Sequence, residues 1–196
     1  MDDFLTEKFW TEKYKTNNTG WDIGAVSSPL KAYIDQLTDK NKQILLPGAG
    51  NAYEAEYLFR THFKNVSVLD LSPEPLRELK TRIPEFPEKN LHQTDFFEFH
   101  GQFDLILEQT FFCAIHPSRR QEYANKMHKL LRPGGRLVGV LFDDKLNEDH
   151  PPFGGNKEEY LGYFDERFEK CCFERCYNSI PERAGRELFI NLRTKK

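Results

Sequence analysis

The chain has 196 residues, of which 38% are hydrophobic and 30% charged, and a formal net charge of -3. That length suits one domain with a substantial buried core, and the near balance of basic and acidic residues excludes the cationic field that nucleic acid recruits. No stretch approaches the roughly 20 apolar residues of a membrane span, and Met1-Asp2-Asp3-Phe4 lacks the basic start of a signal peptide, so a cytoplasmic protein with no membrane or nucleic-acid partner is expected.

In chain order, an N-terminal extension precedes Ser28-Pro29, where Ser as N-cap and Pro in the first turn predict a helix carrying Leu30, Tyr33, Ile34 and Leu37 on one face. Gln43 to Leu46 reads as a short buried strand that breaks at Pro47-Gly48-Ala49-Gly50, and a helix follows from Glu54 to Thr61. A second strand, Val66 to Leu69, ends at Asp70; Ser72-Pro73 then caps a helix reaching about Arg82. Leu91 to Thr94 is a weak third strand ending at Asp95, and Phe103 to Leu107 a fourth, with Glu108-Gln109-Thr110 at its carboxyl end. Pro117 to Leu131 predicts a helix stopped by Arg132-Pro133-Gly134-Gly135. Arg136 to Phe142 is a fifth strand, a helix starts near Lys157, and Cys172 to Tyr177 and Glu187 to Leu192 form a last, antiparallel pair because their connection is short. Alternating strands and helices predict an α/β fold, a doubly wound, Rossmann-like, mainly parallel seven-stranded sheet ending in that antiparallel pair. One domain over 1–196 is expected.

Cys113, Cys171, Cys172 and Cys176 have neither paired C-x-x-C spacing nor a nearby His, so they are expected to be reduced and to pack as small apolar residues, with no metal.

In a doubly wound sheet the ligand lies beyond the carboxyl ends of the strands, at the switch in strand order. The first strand ends in Gly48-Ala49-Gly50, where glycines let backbone approach a ligand closely. Asp70, at the end of the next strand, is placed to accept from two ribose hydroxyls. A dinucleotide site calls for a third glycine to pack helix against strand beneath a pyrophosphate. Tyr53 stands at that position, which favours a nucleoside without phosphates, such as S-adenosylmethionine. Asp95 is placed to take the adenine amino group, with Phe96 beside the ring, or else to cap a turn.

At this point the chain resembles the thiopurine S-methyltransferase superfamily, and within it the halide and thiol methyltransferase branch. The landmarks run in order: Trp10, Tyr14, Thr19-Gly20-Trp21-Asp22-Ile23-Gly24, Leu45-Leu46-Pro47-Gly48-Ala49-Gly50, Gln109-Thr110-Phe111-Phe112-Cys113-Ala114-Ile115, Pro151-Pro152-Phe153 and Ile180-Pro181-x-Arg183-x-Gly185. The resemblance implies that residues 1–28 form a helical lid in which Trp10, Tyr14 and Trp21 fold over the cofactor. It also implies Gly48 and Gly50 near the methionine part, Asp70 at the ribose, Asp95-Phe96 at the adenine and Gln109 beside the sulfonium. Many methyltransferases open the glycine motif with an acidic residue that holds the cofactor ammonium. Leu46-Pro47 stands there instead, so backbone carbonyls near Gly48 and Gln109 are the candidates. A monomer acting on a small molecule, and releasing S-adenosylhomocysteine, is the implied form.

Methyl transfer from a sulfonium to a soft nucleophile needs alignment and a dry pocket more than a strong base, because a thiol is already partly thiolate at neutral pH. Phe111, Phe112, Phe142 and Phe153 are the expected acceptor wall. Asp22 and His116 are the candidates for orienting or deprotonating the acceptor, and Arg183 either counters a negative acceptor or pairs with a carboxylate. An amine or hydroxyl acceptor, and a nucleoside-binding domain without catalysis, are the competing readings.

Overall fold

The computed structural model describes residues 5–195; Met1–Phe4 of the expected covering segment and Lys196 of the expected domain lie outside them. The elements are helix α1 (Glu7–Lys15), α2 (Ser28–Ile34), strand β1 (Gln43–Pro47), α3 (Tyr53–Arg60), β2 (Asn65–Asp70), α4 (Pro73–Arg82), β3 (Leu91–Gln93), β4 (Phe103–Gln109), α5 (Arg120–Leu130), β5 (Leu131–Phe142), α6 (Lys157–Phe164), β6 (Phe168–Arg175) and β7 (Glu187–Thr194). The strands form one sheet in the order β3-β2-β1-β4-β5-β7-β6. Strands β3 to β5 run parallel and β7 is antiparallel to both of its neighbours. The order reverses between β1 and β4, so their carboxyl ends open a cleft there.

Because strand side chains alternate between faces, the sheet carries two cores. Ile44 and Leu46 of β1 pack with Leu30, Leu58 and Leu79 of α2, α3 and α4 on one face. Leu45 of β1 points to the other face, which Tyr123, Met127 and Phe164 of α5 and α6 cover. α1 docks outside the sheet against α4. Thr11 of α1 is buried there, its hydroxyl 2.9 Å from that of Ser72, the N-cap of α4.

Four boundaries differ from the sequence expectation. The N-cap of α2 is Ser27, not Ser28, and no side chain caps it; the Ser27 N–H instead donates to the buried Glu54 carboxyl of α3 at 2.9 Å. The helix expected from Pro117 starts as a single 3-10 turn, Pro117–Arg119, and becomes α-helical only at Arg120. Pro133-Gly134-Gly135 does follow the helix, but inside β5 rather than before it. Leu131 already pairs with Phe103, Arg136 resumes pairing at Leu105, and the intervening residues bulge out. A proline that lacks a donor and Gly134 at φ +77° are at home in such a bulge. The sixth strand also begins earlier than expected, at Phe168, and ends at Arg175. Its charged residues mask the strand pattern, as suits the edge of a sheet.

Candidate active site

β1 ends in Gly48 and Gly50, both left-handed at φ +54° and +53°. β2 ends in Asp70, which the turn reaches back to bind. The Gly50 N–H donates to Asp70 Oδ2 at 3.2 Å and the Ser72 N–H to Oδ1 at 2.9 Å. Asp70 is buried, and burial pushes its carboxyl up to about 7 against the relief from those N–H groups. Asp95 follows β3. Its Oδ1 accepts from the Phe97 N–H at 2.7 Å, so it caps a turn while also lining the cleft.

β4 ends differently. Gln109 is followed by Thr110 at φ +57°, a left-handed residue that bends the chain back across the cleft. Phe111 consequently packs directly on Gly48. A Cβ on Gly48 would stand 2.0 Å from the Phe111 ring, so only glycine fits beneath it. The same ring meets Phe96 edge-on at 5.2 Å, which links the ends of β1, β3 and β4.

Glu108 anchors that turn from below. It is buried, its Oε2 accepts from the Phe112 N–H at 3.1 Å, and its Oε1 has no partner. Burial pushes its carboxyl up to about 8. Room for it comes from Gly139 across the ladder, where a Cβ would stand 2.7 Å from Glu108 Cγ. The buried Cys113 holds the two flanking segments: its Sγ accepts from the Phe142 N–H at 3.3 Å and its carbonyl from the Phe153 N–H at 2.7 Å. Burial raises this thiol to about 12, which leaves it a packing residue.

The N-terminal segment closes the cleft from above. Trp21 meets Trp10 at 5.6 Å and Tyr14 at 5.7 Å, both edge-on. The Tyr14 hydroxyl and Trp21 Nε1 both sit 3.7 Å from where a Gly50 side chain would begin. The backbone of Trp21 is itself tied down, since Arg183 Nη2 donates to its carbonyl at 2.6 Å.

Together these elements enclose a cavity of about 210 Å³. Of the residues expected at the site, Trp10, Tyr14, Trp21, Gly48, Gly50, Asp70, Asp95, Phe96, Gln109, Phe111, Phe142 and His116 all line it. Phe112, Phe153, Arg183 and Asp22 do not. Phe112 is fully buried between Tyr123 and Tyr160 and belongs to the core behind the wall. Phe153 is buried edge-on to His116 at 5.3 Å. Arg183 is buried too, paired with Glu187 at 3.2 Å and stacked on Phe142, so it supports the wall and the lid. Asp22 lies on the far side of the glycine turn. His116 uses its Nδ1 to cap the following 3-10 turn at Ser118.

The cavity also includes Leu71, Ala114, Ile115, Arg119 and the Pro151-Pro152 turn, to which the sequence reading gave no site role. Leu71 directly follows Asp70 and was within reach of strand-end reasoning. Arg119 lay inside a predicted helix, and only its place in the first turn, with the guanidinium 3.5 Å above the Phe97 ring, brings it to the rim.

The family model described as Thiopurine S-methyltransferase matches residues 5–191. Among curated relatives, the chain is 28% identical to Probable thiol methyltransferase 2 of Arabidopsis thaliana over 77% of this chain and 69% of that one. It is 26% identical to Thiocyanate methyltransferase 1 of the same plant, over 92% and 80%. To the Thiopurine S-methyltransferase of Vibrio campbellii it is 27% identical, over 81% and 82%. Among solved structures, the Burkholderia thailandensis 1,6-didemethyltoxoflavin-N1-methyltransferase with bound S-adenosylhomocysteine superposes with a TM-score of 0.78 at 19% identity, covering 98% of this chain and 88% of that one. The N-methyltransferase NodS from Bradyrhizobium japonicum with S-adenosylhomocysteine gives 0.70 at 18%, covering 99% and 100%. No helix among the described residues is long and apolar enough to cross a membrane.

Proposed function

We propose, from the premise that the chain belongs to the thiopurine S-methyltransferase family, that this S-adenosylmethionine-dependent methyltransferase acts on a small soft nucleophile: a thiol, hydrogen sulfide or a halide. The observation that carries the reading is the division of one cavity. Its Asp70, Gly48 and Gly50 end is polar, and its other wall is mainly apolar, with Phe111, Ala114, Ile115, Phe142, Pro151 and Pro152 beside His116 and Arg119.

The residues present fit the cofactor. A buried carboxyl faces the cleft beside a glycine turn without side chains, and the buried Gln109 Nε2 has no partner within the protein. Asp70 would accept from the ribose hydroxyls, Asp95 and Phe96 would border the adenine, and Trp10, Tyr14 and Trp21 would cover the nucleoside. When bound, S-adenosylmethionine supplies an electrophilic methyl group for in-line displacement. The protein's part is to hold the acceptor about 3–3.5 Å from that carbon and to exclude water. The aromatic and proline wall removes water from the acceptor, which favours nucleophiles that are weakly hydrated. A thiol needs only a modest proton acceptor, and we assign that part to His116, which lines the same cavity.

A headspace assay tests this. Purified protein is mixed with S-adenosylmethionine and iodide, hydrogen sulfide or an aryl thiol in separate vials. Methylated product is expected in at least one vial. Tight S-adenosylhomocysteine binding with no product in any vial, but turnover of a small amine, would overturn the soft-nucleophile reading.

A further inference from the structure

A second, smaller cavity of about 30 Å³ adjoins the first across the glycine turn. The two share Trp21, Gly48, Gly50 and Gln109, so these residues stand between them. The remaining walls of the small cavity include Asp22, Asn51, Tyr53 and Glu54.

Its charge balance is uneven. Asp22 Oδ1 accepts from the Gly24 N–H at 2.7 Å, and Oδ2 from Asn51 Nδ2 at 2.5 Å and from the Tyr53 hydroxyl at 3.4 Å. All three donors are neutral. Among the described residues no Lys, Arg or His pairs with Asp22. The two nearby guanidinium groups are committed elsewhere, Arg82 to Glu56 at 2.7 Å and Arg183 to Glu187. The neutral donors fix the carboxylate in place without cancelling its charge. A second observation points to a ligand with an acceptor as well: Gln109 Nε2 is buried, unpartnered and in the wall shared by both cavities.

We propose that this small cavity grips the amino-acid end of the cofactor, with Asp22 binding the ammonium and the Gln109 amide donating to the carboxylate. The proposal rests on the cofactor reading above and changes the role of Asp22 from acting on the acceptor to holding the cofactor. It also explains how the glycine turn manages without an acidic residue at Leu46-Pro47. The carboxylate comes instead from the N-terminal segment, held against Asn51 of the turn from outside. A carboxylate fixed by neutral donors accepts a charge-assisted hydrogen bond from an ammonium, about twice as strong as one between neutral groups.

Titration calorimetry on the wild type and Asp22→Asn, with S-adenosylhomocysteine and with 5′-methylthioadenosine, separates the outcomes. The second ligand keeps the nucleoside and thioether but has no amino-acid end. Asp22→Asn is expected to weaken S-adenosylhomocysteine by at least tenfold and 5′-methylthioadenosine by less than twofold. Equal losses for both ligands would make Asp22 a mere prop of the turn and overturn the proposal, as would no loss for either. Should that variant fail to fold, Asp22→Glu is titrated with the same two ligands: a tenfold loss confined to S-adenosylhomocysteine upholds the proposal, and equal losses or none overturn it. Failure of the wild type to bind any of these nucleosides would sink the cofactor reading instead, a result distinct from each of the others.

Discussion

The two ends of the cleft are built in opposite ways. At the proposed nucleoside end the groups sit on strand termini, Gly48 and Gly50 after β1, Asp70 at the end of β2 and Asp95 after β3, and both carboxyls are held by backbone N–H groups, Asp70 by Gly50 and Ser72 and Asp95 by Phe97. At the acceptor end the wall comes from segments far apart in the chain, the turn after β4, the end of β5 and the Pro151-Pro152 turn, joined through the buried Cys113 and Glu108. If the first end holds the cofactor as proposed, it can change little without losing it. The second can change its lining one side chain at a time, which suits a family that shares one cofactor and differs in acceptors. The supports differ likewise: short-range hydrogen bonds hold the first end, and long-range packing around a buried, half-satisfied carboxyl holds the second.

Three measurements probe that contrast, the largest effect first. Glu108 supports the acceptor end with a carboxyl raised from its ordinary value to about 8. A raised carboxyl stabilises the fold while protonated, and that contribution is lost as pH rises through the folded value. Between pH 6 and 9 the wild type is expected to lose about 2–3 kcal/mol of unfolding free energy through this group. Glu108→Gln should flatten that slope in denaturant melts followed at both pH values, and an unchanged slope would show that the carboxyl does not titrate there.

At the nucleoside end, Asp70 sits near 7 before any ligand arrives. If only the ionised form accepts the ribose hydroxyls, affinity scales with the ionised fraction, and S-adenosylhomocysteine should bind about tenfold more weakly at pH 6 than at pH 8. Asp70→Asn should weaken binding at pH 8 by about 10- to 100-fold, in line with the loss of charge-assisted hydrogen bonds, and abolish the pH dependence. A wild type whose affinity is flat from pH 6 to 8 would remove Asp70 from that role.

The smallest effect belongs to the lining of the acceptor end. Phe142→Leu keeps an apolar, buried side chain, so stability should change by about 1 kcal/mol. The acceptor KM should rise about threefold, with the affinity for S-adenosylhomocysteine within twofold of the wild type. A matched loss in both would mean that the two ends are not separable at Phe142.

The contrast also explains what was legible beforehand. Strand β1 with its glycine turn, Asp70, the Ser72-Pro73 cap and the antiparallel end of the sheet could be read directly, because each is written in residues a few positions apart whose backbone geometry they dictate. Phe112 and Phe153 read the same as Phe111 and Phe142, and only the left-handed Thr110 and the packing on Tyr123 and Tyr160 sort wall from core. Asp22 was a candidate for acting on the acceptor; its hydrogen bonds to Asn51 and Tyr53 turn it toward the other side of the turn.

By itself, then, the sequence determined the α/β alternation, the glycine turn and the acidic strand ends, since these follow from local propensity and from spacing along one element; the aromatic lid was implied only by the family resemblance. Tertiary structure alone decided which phenylalanine faces the cleft, that Arg183 braces Trp21 and Glu187 rather than facing an acceptor, that Gly139 makes space for Glu108, and that Asp22 and Gln109 share a wall. Those outcomes depend on residues many positions apart meeting across strands and loops, and the distances that separate a wall from a core arise only when the sheet closes.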